Sequence, residues 1–102
     1  MGNHSEVGVP DYMRLMRDFL GGRINADQYR LSYFSLSKKR ANIPDEETSR
    51  ITQQAYGDAD DYEPDPKSRL ALPNTIDEPE LKDRVAKSLH DLEALGHRVD
   101  WV

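Results

Sequence analysis

The stretch DEPELKDRVAKSLHDLEALG, residues 77–96, contains the beginning, the apolar face and the end of one helix. Asp77 and Glu80 have the spacing of an N-cap with a capping box, and Pro79 suits a first helical turn. Gly96 is a residue type that commonly ends helices. The apolar residues recur at the spacing of one helical face: Leu81, Val85, Leu89 and Leu92. This stretch therefore predicts an amphipathic helix.

Two segments near the N-terminus show the same periodicity. Residues 12–20 carry apolar side chains three and four positions apart, and the pair Gly21-Gly22 stops that pattern. The second segment opens at Asn25, a good N-cap with Gln28 at the capping-box position. It ends in the basic run of residues 38–40, which suits the negative end of a helix dipole. Both segments are predicted helices.

A third segment begins at Pro44 and Asp45, where acidic residues fall in the first helical turn. It is expected to end between Gly57 and Pro64, because glycine weakens a helix interior and proline disfavours the helical conformation just before it. Residues 63–76 contain three prolines and no periodicity, so they are predicted to form a loop.

These segments predict the fold class and the division of the chain. No segment alternates like a strand for more than a few residues, and four helices with mostly short connections predict an all-α, antiparallel four-helix bundle. We expect a flexible N-terminal segment at residues 1–9, a helical domain at residues 10–96 and a C-terminal tail at residues 97–102. Trp101 is expected to fold back from that tail, because its burial removes apolar area from water.

Composition excludes several functions. The chain of 102 residues is short enough for one domain, and its net charge of -5 has the wrong sign for direct nucleic-acid binding. It contains no cysteine, and His4, His90 and His97 do not have the spacing of metal ligands. No apolar run is long enough to cross a membrane. We therefore expect a cytoplasmic protein that is not an enzyme, needs no cofactor or metal and has no membrane partner.

The negative charge is concentrated in the middle of the chain. Residues 1–40, 41–80 and 81–102 have net charges of +3, -8 and 0. Within the middle block, carboxylates at predicted helix starts are explained by the helix dipole. Five other acidic residues lie at the opposite, unfavourable end of the third helix: Asp58, Asp60, Asp61, Glu63 and Asp65.

This acidic cluster predicts a surface that docks a basic protein. Helical geometry places Asp60 and Asp61 away from the inner face of their helix. Tyr56 and Tyr62 lie on either side of them in the sequence, so the aromatic rings would anchor a partner while the charges steer it. The alternative is a solvated acidic end that aids solubility.

Several sequence pieces together resemble the colicin D immunity protein family, the bacterial self-protective colicin-like immunity proteins. The pieces are FLGGRINADQY at residues 19–29, DYEPD at residues 61–65, and IDE at residues 76–78 followed by Glu80-Leu81. Their order and approximate spacing match across about residues 10 to 95. The basic run at residues 38–40 and the stretch from Pro66 to Thr75 do not match the family pattern.

The resemblance implies a helical-bundle inhibitor made beside a toxin whose C-terminal nuclease domain cuts transfer RNA. The toxin is a bacteriocin or the tip of a contact-dependent growth inhibition protein. The family covers the toxin's basic catalytic cleft with acidic residues that imitate the RNA backbone, and a monomer would form a 1:1 complex. Asp61, Glu63 and Asp65 are contacts implied by the resemblance, whereas Asp58 and Asp60 rest on the charge argument alone. Matching core positions are Phe19, Leu20, Ile24, Tyr29 and Leu81.

Two other functions stay open from the sequence. A small acidic helical adaptor or regulatory subunit could bind a basic cellular protein unrelated to toxins. A helix-turn-helix DNA binder would place Arg30 and residues 38–40 on its recognition helix, although the negative net charge speaks against this.

Overall fold

The computed structural model describes residues 6–97. Within them, five helices and two three-residue strands follow one another along the chain. They are β1 (Glu6–Gly8), α1 (Val9–Leu20), α2 (Ala26–Ser37), β2 (Arg40–Asn42), α3 (Glu46–Asp61), α4 (Pro66–Ala71) and α5 (Glu78–Ala94). The expected position of Trp101 falls outside the described residues. The division into residues 1–9, 10–96 and 97–102 remains a prediction.

Side-chain caps confirm the predicted starts of α2, α3 and α5. Asn25 Oδ1 accepts from the Gln28 amide and Gln28 Oε1 accepts from the Asn25 amide, both at 2.8 Å. Asp45 Oδ1 accepts from the Thr48 amide at 2.7 Å, and Asp77 caps α5 in the same way. Each cap satisfies a first-turn amide that has no partner inside its helix.

Glycines end α1 and α5, as predicted, and two of them lie in the left-handed region. Gly22 after α1 and Gly96 after α5 have φ angles of 81° and 95°, which only glycine adopts without steric cost. After Gly96, the His97 amide donates to the Leu92 carbonyl at 3.2 Å. The turn places His97 Nε2 2.8 Å from Thr48 Oγ1, at the beginning of α3.

The four longer helices pack around a common core, which confirms the predicted helical class. The α1 helix contacts α2 and α5, and α3 contacts the same two helices. An antiparallel four-helix bundle is a more specific arrangement and remains a prediction. Three of the core positions matched to the family are buried and the other two pack against the core: Phe19, Tyr29 and Leu81, then Leu20 and Ile24.

Aromatic rings fill the interface between α1 and α2. The Phe19 and Tyr29 rings stack with their centroids 4.8 Å apart, and the Tyr12 and Tyr33 centroids are 5.2 Å apart. Tyr33 donates its hydroxyl to the Thr52 carbonyl of α3 at 2.7 Å. Burial raises the pKa of the Tyr29 and Tyr33 phenols, so both stay neutral.

The prediction of an uninterrupted loop at residues 63–76 is wrong, because α4 lies within it. Asp65 caps this helix and Pro66 occupies its first position, where proline's fixed φ favours a helical turn. No residue of α4 is buried. A helix without a buried face has no apolar periodicity, so the sequence pattern did not reveal it.

A short parallel pairing joins β1 to β2, with Val7 opposite Ala41. Three-residue strands are too short to produce a recognisable alternation, so the sequence did not predict them. A second parallel contact joins Tyr62 to Ile76 and links the end of α3 to the residues before α5. The fold is therefore helical apart from these brief pairings within residues 6–97.

Candidate partner-binding surface

Asp58 is buried and paired inside the fold. Its side chain is 4% exposed, and Oδ1 lies 3.3 Å from Arg84 Nη1 on α5. The same oxygen accepts from Gln54 Nε2 at 3.2 Å. The expectation that folding does not explain the acidic cluster is wrong for Asp58, because a buried carboxylate is stabilised by such partners.

Asp65 and Glu63 also have structural roles but remain accessible. Asp65 Oδ1 accepts from the Lys67 amide and Oδ2 from the Ser68 hydroxyl, both at 3.1 Å, which caps α4. Glu63 Oε2 accepts from the Asp65 amide at 3.2 Å. Asp65 is exposed and Glu63 half-buried, so each carboxylate can still meet a partner.

The two predicted aromatic anchors lie in different environments. Tyr62 is 8% exposed and belongs to the core, whereas Tyr56 is 43% exposed. Main-chain bonds at 2.9 Å fix the segment around Tyr62, since the Glu63 amide donates to the Ile76 carbonyl and the Ile76 amide to the Asp61 carbonyl. Tyr56 is therefore the exposed ring of the pair.

Asp60 and Asp61 lie on the last turn of α3, with Asp60 exposed and Asp61 half-buried. Neither carboxylate forms an ion pair or a hydrogen bond with another side chain in the described range. Both carry charge at a helix C-terminus, where each is unfavourable by about 0.3–1 kcal/mol at low salt. Folding alone does not account for these two residues.

Asp27 and Glu78 bring further negative charge to the same end of the molecule. Burial is the main cause of the raised pKa of Tyr62, and the charges of Asp27 and Glu78 raise this pKa further. Their charges act on the Tyr62 phenol from the first turns of α2 and α5, and the pairing of Tyr62 with Ile76 brings the start of α5 to the end of α3. Sequence reasoning missed this convergence, because it explained Glu78 as a helix-start residue and gave Asp27 no role.

We call this surface the acidic end, and it has two kinds of members. Four carboxylates have no ion-pair or hydrogen-bond partner among the side chains of residues 6–97: Asp27, Asp60, Asp61 and Glu78. Two others, Glu63 and Asp65, combine a local hydrogen bond with access to solvent. Arg69 is a nearby base, and its charge opposes the rise in the pKa of Tyr62.

A recess of about 460 Å³ opens beside the acidic end. It is bounded by Asp61 and Arg84 and by the turn at residues 73–76. Arg84 is already held by Glu80 Oε2 at 3.0 Å and by Asp58. The recess is therefore lined by Asp61, which has no side-chain partner among residues 6–97, and by a guanidinium that is already paired.

Three further observations concern metal binding, membrane spanning and DNA recognition. Residues 6–97 contain no cluster of acidic, histidine or cysteine side chains that could hold a metal ion. No helix in that range has the length and apolarity needed to span a bilayer. Arg30, one of the bases a DNA-recognition helix would use, is half-buried with its guanidinium 5.5 Å from the Phe34 ring centroid.

Fold and composition together define a class, that of a small acidic helical domain. The particular family follows from comparison with known proteins. A family model described as bacterial self-protective colicin-like immunity matches residues 7–92, and the chain belongs to this family. The resemblance in residues 19–29, 61–65 and 76–81 is thereby confirmed. No curated protein and no solved structure matches the chain.

Family membership gives the chain an immunity role, and it implies that the partner is a cognate toxin. Immunity proteins are generally not enzymes. They act by binding, so the geometry of the exposed surface carries the function.

Proposed function

We propose that this protein binds a tRNA-cleaving toxin domain and occludes its basic active-site cleft through the acidic end. The observation that carries the proposal is the contrast within the acidic residues. Asp58 and Asp65 have partners inside the fold, whereas Asp60 and Asp61 have no side-chain partner among residues 6–97 and lie at an unfavourable helix end. A nuclease cleft is basic because it binds phosphates, so carboxylates held on this scaffold would replace the RNA backbone there.

The seven predicted contact residues take two roles in this proposal. Asp58 and Tyr62 are buried, so they position the end of α3 rather than touch the toxin. The remaining five are accessible and would make contact: Tyr56, Asp60, Asp61, Glu63 and Asp65. Asp27 and Glu78 extend the negative surface beyond the cluster seen in the sequence.

The proposed scaffold is an antiparallel four-helix bundle. Thr48 near the start of α3 lies against His97 just after α5, while Asp58 near the end of α3 pairs with Arg84 in the first half of α5. Contacts that run in opposite directions along two helices support antiparallel packing. The aromatic pairs between α1 and α2 also run in opposite directions along the two helices, since Tyr12 meets Tyr33 and Phe19 meets Tyr29.

The same proposal places the protein in the cytoplasm of the producing cell, as a monomer before it forms a 1:1 complex. There it would meet either a bacteriocin or a contact-dependent growth inhibition effector before the nuclease reaches cellular tRNA.

The test is inhibition of the nuclease domain encoded beside this gene. Purified nuclease is incubated with a tRNA pool and increasing amounts of the full chain, and cleavage is followed on a denaturing gel. We expect cleavage to stop at a 1:1 ratio, with a complex of that stoichiometry in analytical ultracentrifugation. Continued cleavage at excess chain, together with a missing complex, would refute the proposal. A complex that still cuts tRNA would instead place the interface away from the cleft.

A further inference from the structure

Three apolar side chains on α2 and α3 remain accessible beside the acidic end. Leu31 is 66% exposed and Tyr56 is 43% exposed. Phe34 is half-buried and packs against the core. We call Leu31, Phe34 and Tyr56 the α2/α3 patch.

The two rings of the patch are held in place by the core beneath them. The centroids of Phe34 and Tyr56 are 5.1 Å apart with the rings tilted by 46°. Tyr56 also meets the buried Tyr33 edge-on at 6.4 Å. Aromatic side chains fixed in this way lose little conformational freedom when a partner covers them, which is typical of anchor residues in interfaces.

The patch continues directly into the acidic end. Asp27 and Leu31 are four residues apart on α2, and Tyr56 and Asp60 are four residues apart on α3, so each pair shares one helical face. The α2 and α3 helices pack against each other. Accessible apolar groups are therefore bordered by carboxylates that have no partner in the described structure.

We infer that the α2/α3 patch is the apolar anchor of the complex and inserts into an apolar recess of the toxin domain bordered by basic side chains. This inference rests on the proposed function and adds to it a surface on α2. Stable interfaces combine a desolvated apolar centre with a polar rim, and charges alone mainly set the rate of encounter. Because Tyr62 is buried, the acidic end by itself supplies no such centre.

The leucines of the α3–α5 connection are a poorer choice of anchor. Leu70 and Leu72 are 89% and 50% exposed, but α4 has no buried residue to hold it. Their immobilisation in a complex would cost conformational freedom that the rings on α3 and α2 have already lost on folding. Asp60 and Asp27 also place negative charge on the same two helical faces as the patch, which complements the basic side chains of the proposed partner.

The experiment compares L31S, Y56S and the double variant with the wild-type chain, using the toxin nuclease domain as the probe in surface plasmon resonance. We expect the double variant to raise the Kd by about tenfold to a hundredfold through faster dissociation. The association rate and its dependence on salt should stay as in the wild type, because the carboxylates are intact. L31S alone removes an exposed side chain and keeps the test valid if Y56S disturbs folding, which circular dichroism monitors.

The matched control is L95S, since Leu95 is 44% exposed but follows α5 at the opposite end of the molecule. Its Kd should equal the wild-type value. If the wild-type chain binds and L31S and the double variant bind within twofold of it, the inference and the proposed Tyr56 contact are overturned, while occlusion of the cleft by the carboxylates of the acidic end stands. A wild-type chain that does not bind the nuclease overturns both the inference and the proposed function.

Discussion

Arg84 joins α5 to α3 through its contact with Asp58, with Nη1 3.3 Å from the buried Oδ1. The Arg84 Nε also donates to Glu80 at 3.0 Å, and the bonds to Glu80 and then Asp58 raise the pKa of the guanidinium. One cation therefore neutralises two carboxylates directly below the acidic end. This leaves the outer carboxylates as the charges available to a partner.

Removing Arg84 should destabilise the fold more than removing the exposed partner of the same guanidinium. We expect R84M to lower the free energy of unfolding by about 1–3 kcal/mol, because it leaves a buried carboxylate with Gln54 alone. The partial exposure of Arg84 keeps the loss at the lower end of that range. Urea denaturation followed by circular dichroism measures the change.

The control for that prediction is E80Q, because Glu80 is 48% exposed and binds the same guanidinium. It should change the free energy of unfolding by less than about 0.5 kcal/mol. The double variant D58N/R84M should recover part of the loss, since no buried charge is left unpaired. Equal stability of R84M and the wild type would show that the Asp58 pair contributes nothing to the fold.

Reversing charge at the end of α3 should weaken toxin binding without unfolding the chain. We expect D60K/D61K to reduce affinity by about 2–5 kcal/mol, because two contacts that the proposed function places in a basic cleft would become repulsive. Much of this loss of affinity should appear as slower association, and the association rate of the wild type should fall steeply with added salt. Stopped-flow binding and circular dichroism provide the two measurements.

E46K/E93K is the matched control for this charge reversal. It makes the same change in net charge at the other end of the molecule, in the first turn of α3 and the last turn of α5. Its affinity should fall far less than that of D60K/D61K. Equal losses in the two double variants would mean that overall charge, and not the acidic end, governs binding.

Acid should weaken the cap of α3. Hydrogen bonds from the Thr48 amide and then the Thr48 hydroxyl lower the pKa of Asp45, and the charge of His97 adds a smaller effect. Because the pKa is lower in the folded than in the unfolded state, this stabilisation is complete above the unfolded pKa and is lost as pH falls through the folded one. Thermal melts of D45A and the wild type should therefore differ clearly at pH 7, and the difference should shrink as the pH falls below the ordinary aspartate pKa. A constant difference across this range would contradict the linkage.

Two glycine substitutions should act in opposite directions. Gly57 lies within α3, and a Cβ built there meets no heavy atom within 4 Å. We expect G57A to raise the free energy of unfolding by about 0.5–1 kcal/mol. G96A should lower it by about 1–2 kcal/mol, because the φ of 95° is unfavourable for residues with a Cβ. Chemical denaturation of both variants checks the signs, and a stabilising G96A would contradict the assigned turn.

The helix boundaries could be predicted because their causes are local. Asn25, Asp45 and Asp77 reach amides only three positions away, and Gly22 and Gly96 act through their own φ angles. Such signals are contained in a few consecutive residues. The pattern of residue types is therefore sufficient to place the starts of α2, α3 and α5.

The candidate surface could be predicted only in part because its remaining features depend on tertiary contacts. The roles of Asp58 and Tyr62 are set by residues on α5 and before it, so their burial was not visible in the cluster around them. The effect of the Asp27 charge on the pKa of Tyr62 likewise depends on the packing of α2 against α3. Helical periodicity predicted both Asp60 and Asp61 as outward residues, and the structure has Asp60 exposed and Asp61 half-buried.

The hydrogen bond between Thr48 and His97 and the ion pair between Asp58 and Arg84 fasten α3 to α5 near both of its ends. Contacts near both ends limit the movement of α3 against α5. The positions of the carboxylates at the C-terminal end of α3 are therefore set before a partner binds. The entropy of arranging those charges is therefore lost during folding and not during association. Removing either the Thr48–His97 hydrogen bond or the Asp58–Arg84 ion pair should consequently shorten the lifetime of the toxin complex, even though neither contact belongs to the proposed interface.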